Sequence, residues 1–188
     1  MSTTSQPFGV RPAYHPSGVT RPTAFTIRST YGSNILQNQV VRIVPSSTGE
    51  GTLEAAAIND AFIGVFQGVE FTDGDGRRRV SNKWLAGTVG TDIVAYATLD
   101  PSIVYEVQAN GSLDVSSIGK QYDLVSVSAG NTTVGLSQAV LDTGSAASNA
   151  AFRVIGVASG PDNAWGDNFT IVQVQISEHQ MVADKAAF

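Results

Sequence analysis

The feature that most limits what this chain can fold into is a succession of short apolar runs, each closed by Gly, Asn, Asp or Ser, with no sustained helical stripe between them. Eight such runs occupy residues 35–44, 62–71, 89–98, 103–109, 122–127, 134–141, 152–158 and 169–177. In the last of them Val172, Val174 and Ile176 alternate with Gln173, Gln175 and Ser177, the period of a sheet with one wet face. Strands at this spacing, without helices to supply crossovers, pair with their neighbours in antiparallel fashion. The expected class is all-β, an antiparallel β-sandwich or barrel.

Turn chemistry points the same way. Asp73-Gly74-Asp75-Gly76 separates the run at 62–71 from Val80, and Asn110-Gly111 separates the run at 103–109 from Leu113 and Val115. Both use residues that tolerate positive φ, so both predict hairpins, the one at Asn110 more strongly. Alanine-dense stretches at 53–61 and 137–149 have room for a short helix but carry no amphipathic stripe, and neither is assigned. Phe62 to Gly68 and Val154 to Gly160 share an apolar pair, Gly-Val, two residues and Gly, a pattern that chance, duplication or a common strand-bending requirement explains equally well.

Length and composition fit this class. At 188 residues the chain can bury its own core as one domain with an arm. Charged residues make up 14 %, against about 25 % in ordinary domains, which suits turn-rich β structure and faces that meet other proteins. The absence of cysteine excludes disulfides, thiolate metal sites and cysteine nucleophiles. The first 18 residues lack the apolar centre of a signal peptide, and nowhere do apolar residues run to the roughly 18 needed to span a bilayer. Cytoplasmic synthesis without a membrane anchor is the expectation.

Charge is unevenly distributed. Residues 1–49 hold Arg11, Arg21, Arg28 and Arg42 and no acid, giving +4, while the remaining 7 bases and 16 acids give −9. Such arginines serve either as ordinary solvated side chains or as a basic arm steered onto a negative surface. Within residues 1–23, Pro7, Pro12, Pro16 and Pro22 remove backbone donors, so this segment should be an extended, proline-rich arm ahead of a single β-rich body at 24–188. Phe8, Val10, Tyr14 and Val19 give it apolar anchors, which predicts that it lies ordered along its own body or a neighbour.

Catalytic signatures are missing. The two histidines, His15 in the arm and His179 after the last strand, read as surface or interface hydrogen-bonding groups. There is no Gly-x-Ser-x-Gly elbow, Walker loop or His-Glu-x-x-His helix. The 73–76 loop lacks the further acid and closing Glu of a calcium loop, position 84 being Trp, and Asp162, Asp167 and Asn168 around Trp165 read as loop residues. No pair among the 16 acids stands out for glycoside cleavage. The chain is expected not to be an enzyme and to need no cofactor or metal. Arg77, Arg78 and Arg79, with Lys83 and Trp84, form the densest basic cluster, but an overall pI near 4.8 and the adjacent Asp73 and Asp75 argue against nucleic acid. Pairing with acids of a neighbouring subunit suits these guanidinium forks better.

Three stretches, PFGVRPAYHPSG at 7–18, IGVFQGVEFTDGDGRRRVSNKW at 63–84 and PDNAWGDNFTIVQVQISEHQ at 161–180, resemble capsid decoration (cement, or head-stabilising) proteins of tailed bacteriophages, including phages of cyanobacteria. The resemblance implies a β-rich virion protein on the outer capsid surface. Such a protein binds the major capsid protein as a homo-oligomer, a trimer in preference to a dimer, without nucleic acid or membrane. Phe8, Arg11, Tyr14, His15 and Arg21 are then the expected arm contacts, and Arg77, Arg78 and Arg79 a second one. Competing expectations are another virion part, such as a tail, baseplate or fibre-attachment module, and a carbohydrate-binding or hydrolytic β-domain using Trp84 and Trp165 as stacking platforms.

Overall fold

The structure is a computed structural model that describes residues 2–45 and 51–183. Its described residues are almost entirely strands and turns, with one 3-10 turn at Val115–Ser117. The first of two main sheets is antiparallel, in the order β1 (Arg11–Tyr14), β10 (Val104–Gln108), β17 (Ile171–Ile176), β16 (Phe152–Val157), β11 (Gln121–Tyr122). The second runs β2 (Pro22–Phe25), β9 (Thr91–Thr98), β6 (Gly64–Thr72), β4 (Val40–Pro45), β5 (Gly51–Ala55), with β7 (Arg78–Ser81) on the far half of β6. Three two-stranded ribbons complete the fold: β3 (Ile35–Leu36) with β8 (Lys83–Trp84), β12 (Leu124–Val125) with β15 (Val140–Leu141), and β13 (Gly130–Asn131) with β14 (Leu136–Ser137). The second sheet curls until Thr26 meets Thr52 in a parallel bridge and Leu53 N–H reaches the Thr26 carbonyl, but among the described residues no continuous ladder closes it as a barrel.

Each sheet covers its own apolar cluster. Val107, Phe152, Val154, Val172 and Val174 fill one, and Ile27, Leu53, Phe66, Trp84 and Ala95 the other. Strand alternation joins the two. On β4, Val40 faces the first cluster and Val41 the second, and next to β6 Phe62 and Ile63 divide in the same way. Each fully buried Val, Ile or Phe among these contributes about 1.5–3 kcal/mol of transfer free energy. At this junction Gly64 has φ +155°, and a Cβ there would lie 1.8 Å from the Thr98 carbonyl oxygen, so no other residue fits. Thr98, fully buried, accepts Val65 N–H at 2.8 Å and bonds the Tyr105 hydroxyl at 2.9 Å.

Several local expectations change. The 73–76 hairpin forms: Asp73 N–H meets the Arg77 carbonyl, Gly76 adopts φ +75°, and β7 pairs with β6. The Asn110-Gly111 hairpin does not. Neither residue takes positive φ, and the Asn110 side chain instead accepts Thr143 N–H and donates to Asp142, tying this corner to a distant loop. Leu113 turns inward and the chain enters the 3-10 turn. The run at 35–44 divides into β3 and β4 at Asn38, which takes φ +65°. The first three residues of the Ala-dense stretch at 53–61 belong to β5.

Candidate interaction surface

Residues 2–25 form a strap across both sheets. Ser2 N–H donates to Asp167 Oδ2 at 2.9 Å, Gln6 N–H to Gln108 Oε1 at 2.9 Å, and Asn38 Nδ2 to the Phe8 carbonyl at 3.0 Å. Gly9 has φ +74° and passes so close to Asn38 that a Cβ would stand 2.5 Å from its carbonyl oxygen. That approach lets Val10 enter the first core, fully buried. The strap then contributes β1 to the edge of one sheet and β2 to the edge of the other.

The sequence-predicted strap contacts divide by partner. The Arg11 guanidinium pairs with Glu106 and lies 4.8 Å from the centre of the half-buried Phe8 ring, a cation–π contact within the chain. His15 forms a clasp: its Nδ1 accepts Ser17 N–H at 3.0 Å and lies 2.6 Å from Ser17 Oγ, while Nε2 stands 3.1 Å from Asp100 Oδ2. A hydroxyl, an imidazole and a carboxylate in contact share the composition of a hydrolase triad. Here, however, the hydroxyl is two residues from the ring and the same ring nitrogen already takes the serine's own amide, so the trio closes the 15–18 turn. Tyr14 and Arg21 project outward, Tyr14 45 % exposed.

Between this turn, the 99–103 connection and the segment at 179–182 lies an open groove of about 670 Å³. Val19, Leu99, Ile103, Met181 and Val182 give it an apolar lining, and His15, Arg21, Asp100 and His179 supply the polar groups. Val19 is 53 % and Met181 62 % exposed. His179 is buried and hydrogen-bonded within the chain: Nε2–H donates to the Leu99 carbonyl at 3.0 Å and Nδ1 accepts Met181 N–H. The Ser102 amide holds Asp100 below the usual carboxylate range, and His15 adds to the effect.

The arginine hairpin sits at the opposite pole. Pro22 pairs with Thr98 at one end of β9 and Thr72 with Thr91 at the other, so its eight residues separate groove and hairpin by about 25 Å at roughly 3.3 Å per residue. Arg79 Nε bonds Asp73 Oδ2 at 2.6 Å, and Arg78 pairs with Glu70 at 3.3 Å and donates to the Asp92 carbonyl. The Arg77 amide, followed by the Arg79 guanidinium, draws Asp73 below its ordinary range, and the Tyr96 hydroxyl does the same for Glu70. The Arg77 side chain projects without a partner among the described residues, and on the same hairpin Val80 is 84 % exposed. Sequence reasoning missed Glu70 and Tyr96, which join Arg78 and Val80 across β6, β7 and β9; strand alternation within one run cannot disclose which runs become neighbours.

Trp84 is fully buried against Phe71 in an edge-on ring contact, which removes it as a sugar platform, and Trp165 packs against the first core. Among the described residues no group of three or more His, Cys, Asp or Glu is arranged to hold a metal, and no helix is long and apolar enough to cross a membrane. Comparison with protein-family models, curated proteins and solved structures found no match.

Proposed function

We propose that this chain is a structural protein of a tailed-phage virion, a decoration protein that binds the outer capsid surface and cements neighbouring major capsid subunits. It would be made in the host cytoplasm and act as a homo-oligomer, a trimer in preference to a dimer. The observation that supports this reading is the separation of two exposed features, an apolar groove with Arg21 at one pole and a hairpin carrying Arg77 and Val80 at the other. A molecule that bridges two subunits needs contacts far enough apart to reach both, and many such weak contacts add over a shell through multivalency. The sequence resemblance points to the same assembly.

The test is binding to purified shells. Truncating the strap is uninformative, because it removes Val10 and two edge strands with any contact residues. Arg21→Glu and Arg77→Glu change only exposed side chains, and each should lower shell occupancy while leaving the thermal midpoint unchanged. Full occupancy by the double variant, or a particle reconstruction without this chain on the outer face, would refute the proposal.

A further inference from the structure

The groove is asymmetric in how its charges are satisfied. Asp100 has the Ser102 amide and His15, and both ring nitrogens of His179 are bonded within the chain. Arg21 alone among the groove's charged groups makes no ion pair or hydrogen bond with a described residue, although it directly precedes β2 and lines the same wall as Val19. An exposed guanidinium beside an apolar cleft, with the only acid among the described lining residues already engaged, matches a ligand that brings a carboxylate next to an apolar side chain. The volume, about 670 Å³, falls within the roughly 300–1,000 Å³ of clefts that enclose a ligand of a few residues.

We infer that this groove binds an extended acidic segment of a partner protein, seating an apolar side chain between Val19 and Met181 and placing the neighbouring carboxylate on the Arg21 guanidinium. The inference rests on the reading that the chain docks on other proteins, but it can be tested without any shell. Preorganisation favours it, since the β2 ladder fixes the backbone beyond Arg21 and the His15 clasp fixes the turn before Val19, so few groups must be ordered on binding.

The experiment titrates the full chain into two fluorescein-labelled, end-capped peptides, Ser-Phe-Asp-Phe-Ser and the same peptide with Lys in place of Asp, and reads anisotropy. The Asp peptide should bind saturably and at least about tenfold more tightly than the Lys peptide, the size of one charge-assisted pair. Arg21→Glu should reverse that order, and Val19→Asp should weaken the Asp peptide, both variants keeping the parent's thermal midpoint. Equal affinity of the two peptides for the parent chain, or an order unchanged by Arg21→Glu, overturns the inference. So does self-association in sedimentation that Val19→Asp abolishes, because the occupant would then be a second copy. Failure to bind shells would remove the cement reading while leaving these titrations intact, so the two ideas can fail separately.

Discussion

The two poles of the second sheet are built by opposite means. At the hairpin, Asp73 accepts the amides of Asp75 and Arg77 and the Arg79 guanidinium, all within six positions of chain. At the groove, partners come from afar: His15 meets Asp100, His179 meets Leu99, and the Phe62 amide and carbonyl meet Glu178 and Gln180. A locally closed pole can open without disturbing the rest, whereas the groove pole opens only with the junction between the cores. Stability is therefore concentrated where the strap and the C-terminal segment converge.

Substitutions that break this contrast follow in order of size. Gly64→Ala forces a Cβ against the Thr98 carbonyl in a backbone region closed to alanine, and should cost about 3–5 kcal/mol in denaturant midpoint titrations, near the top of single-residue effects. Thr98→Val strands the Val65 amide and Tyr105 hydroxyl, for an expected loss of about 2–3 kcal/mol. Asp73→Ala should raise amide exchange only in residues 72–78, without a resolved change in global midpoint. A global effect at Asp73 as large as that at Thr98 would erase the distinction between the poles. Val80→Ser, at a solvated position, should fall within about 0.5 kcal/mol of the parent.

Acid adds a finer probe. The Ser2 amide, then the Ala164 amide, keep Asp167 below its ordinary value of 3.8. A carboxylate depressed in the folded state contributes stability that is present above its unfolded pKa and is lost as pH falls through its folded pKa. Protection of the Ser2 and Ala164 amides, measured against their intrinsic exchange rates, should therefore fall below about pH 4, and Asp167→Asn should show the lower protection already at neutral pH. Identical pH profiles for parent and variant would remove Asp167 as the clasp.

Legibility in the sequence followed the range of the interactions. The runs at 62–71, 103–109 and 169–177 were readable because an apolar run closed by turn residues is a local signal, reinforced in the last by two-residue alternation, and the 73–76 turn because its own side chain closes it. The Asn110 turn misled because a side chain with good local options was recruited by Thr143 and Asp142, 33 and 32 positions away. The strap's anchors were visible, but Gly9 approaching Asn38, which brings Val10 inside, depends on a contact no local pattern encodes. The hairpin arginines stood out as a local cluster, whereas the groove did not, since its walls come from three distant segments.

The strap carries a consequence for biosynthesis. Ser2 waits for Asp167, 165 positions downstream, and β1 for β10. These residues are made before their partners and are thus among the last to find their places, and closing so long a loop slows acquisition of the native state. Until then the edges of both sheets stand open on the nascent chain, so late docking of this segment also ends the interval in which growing copies could join edge to edge.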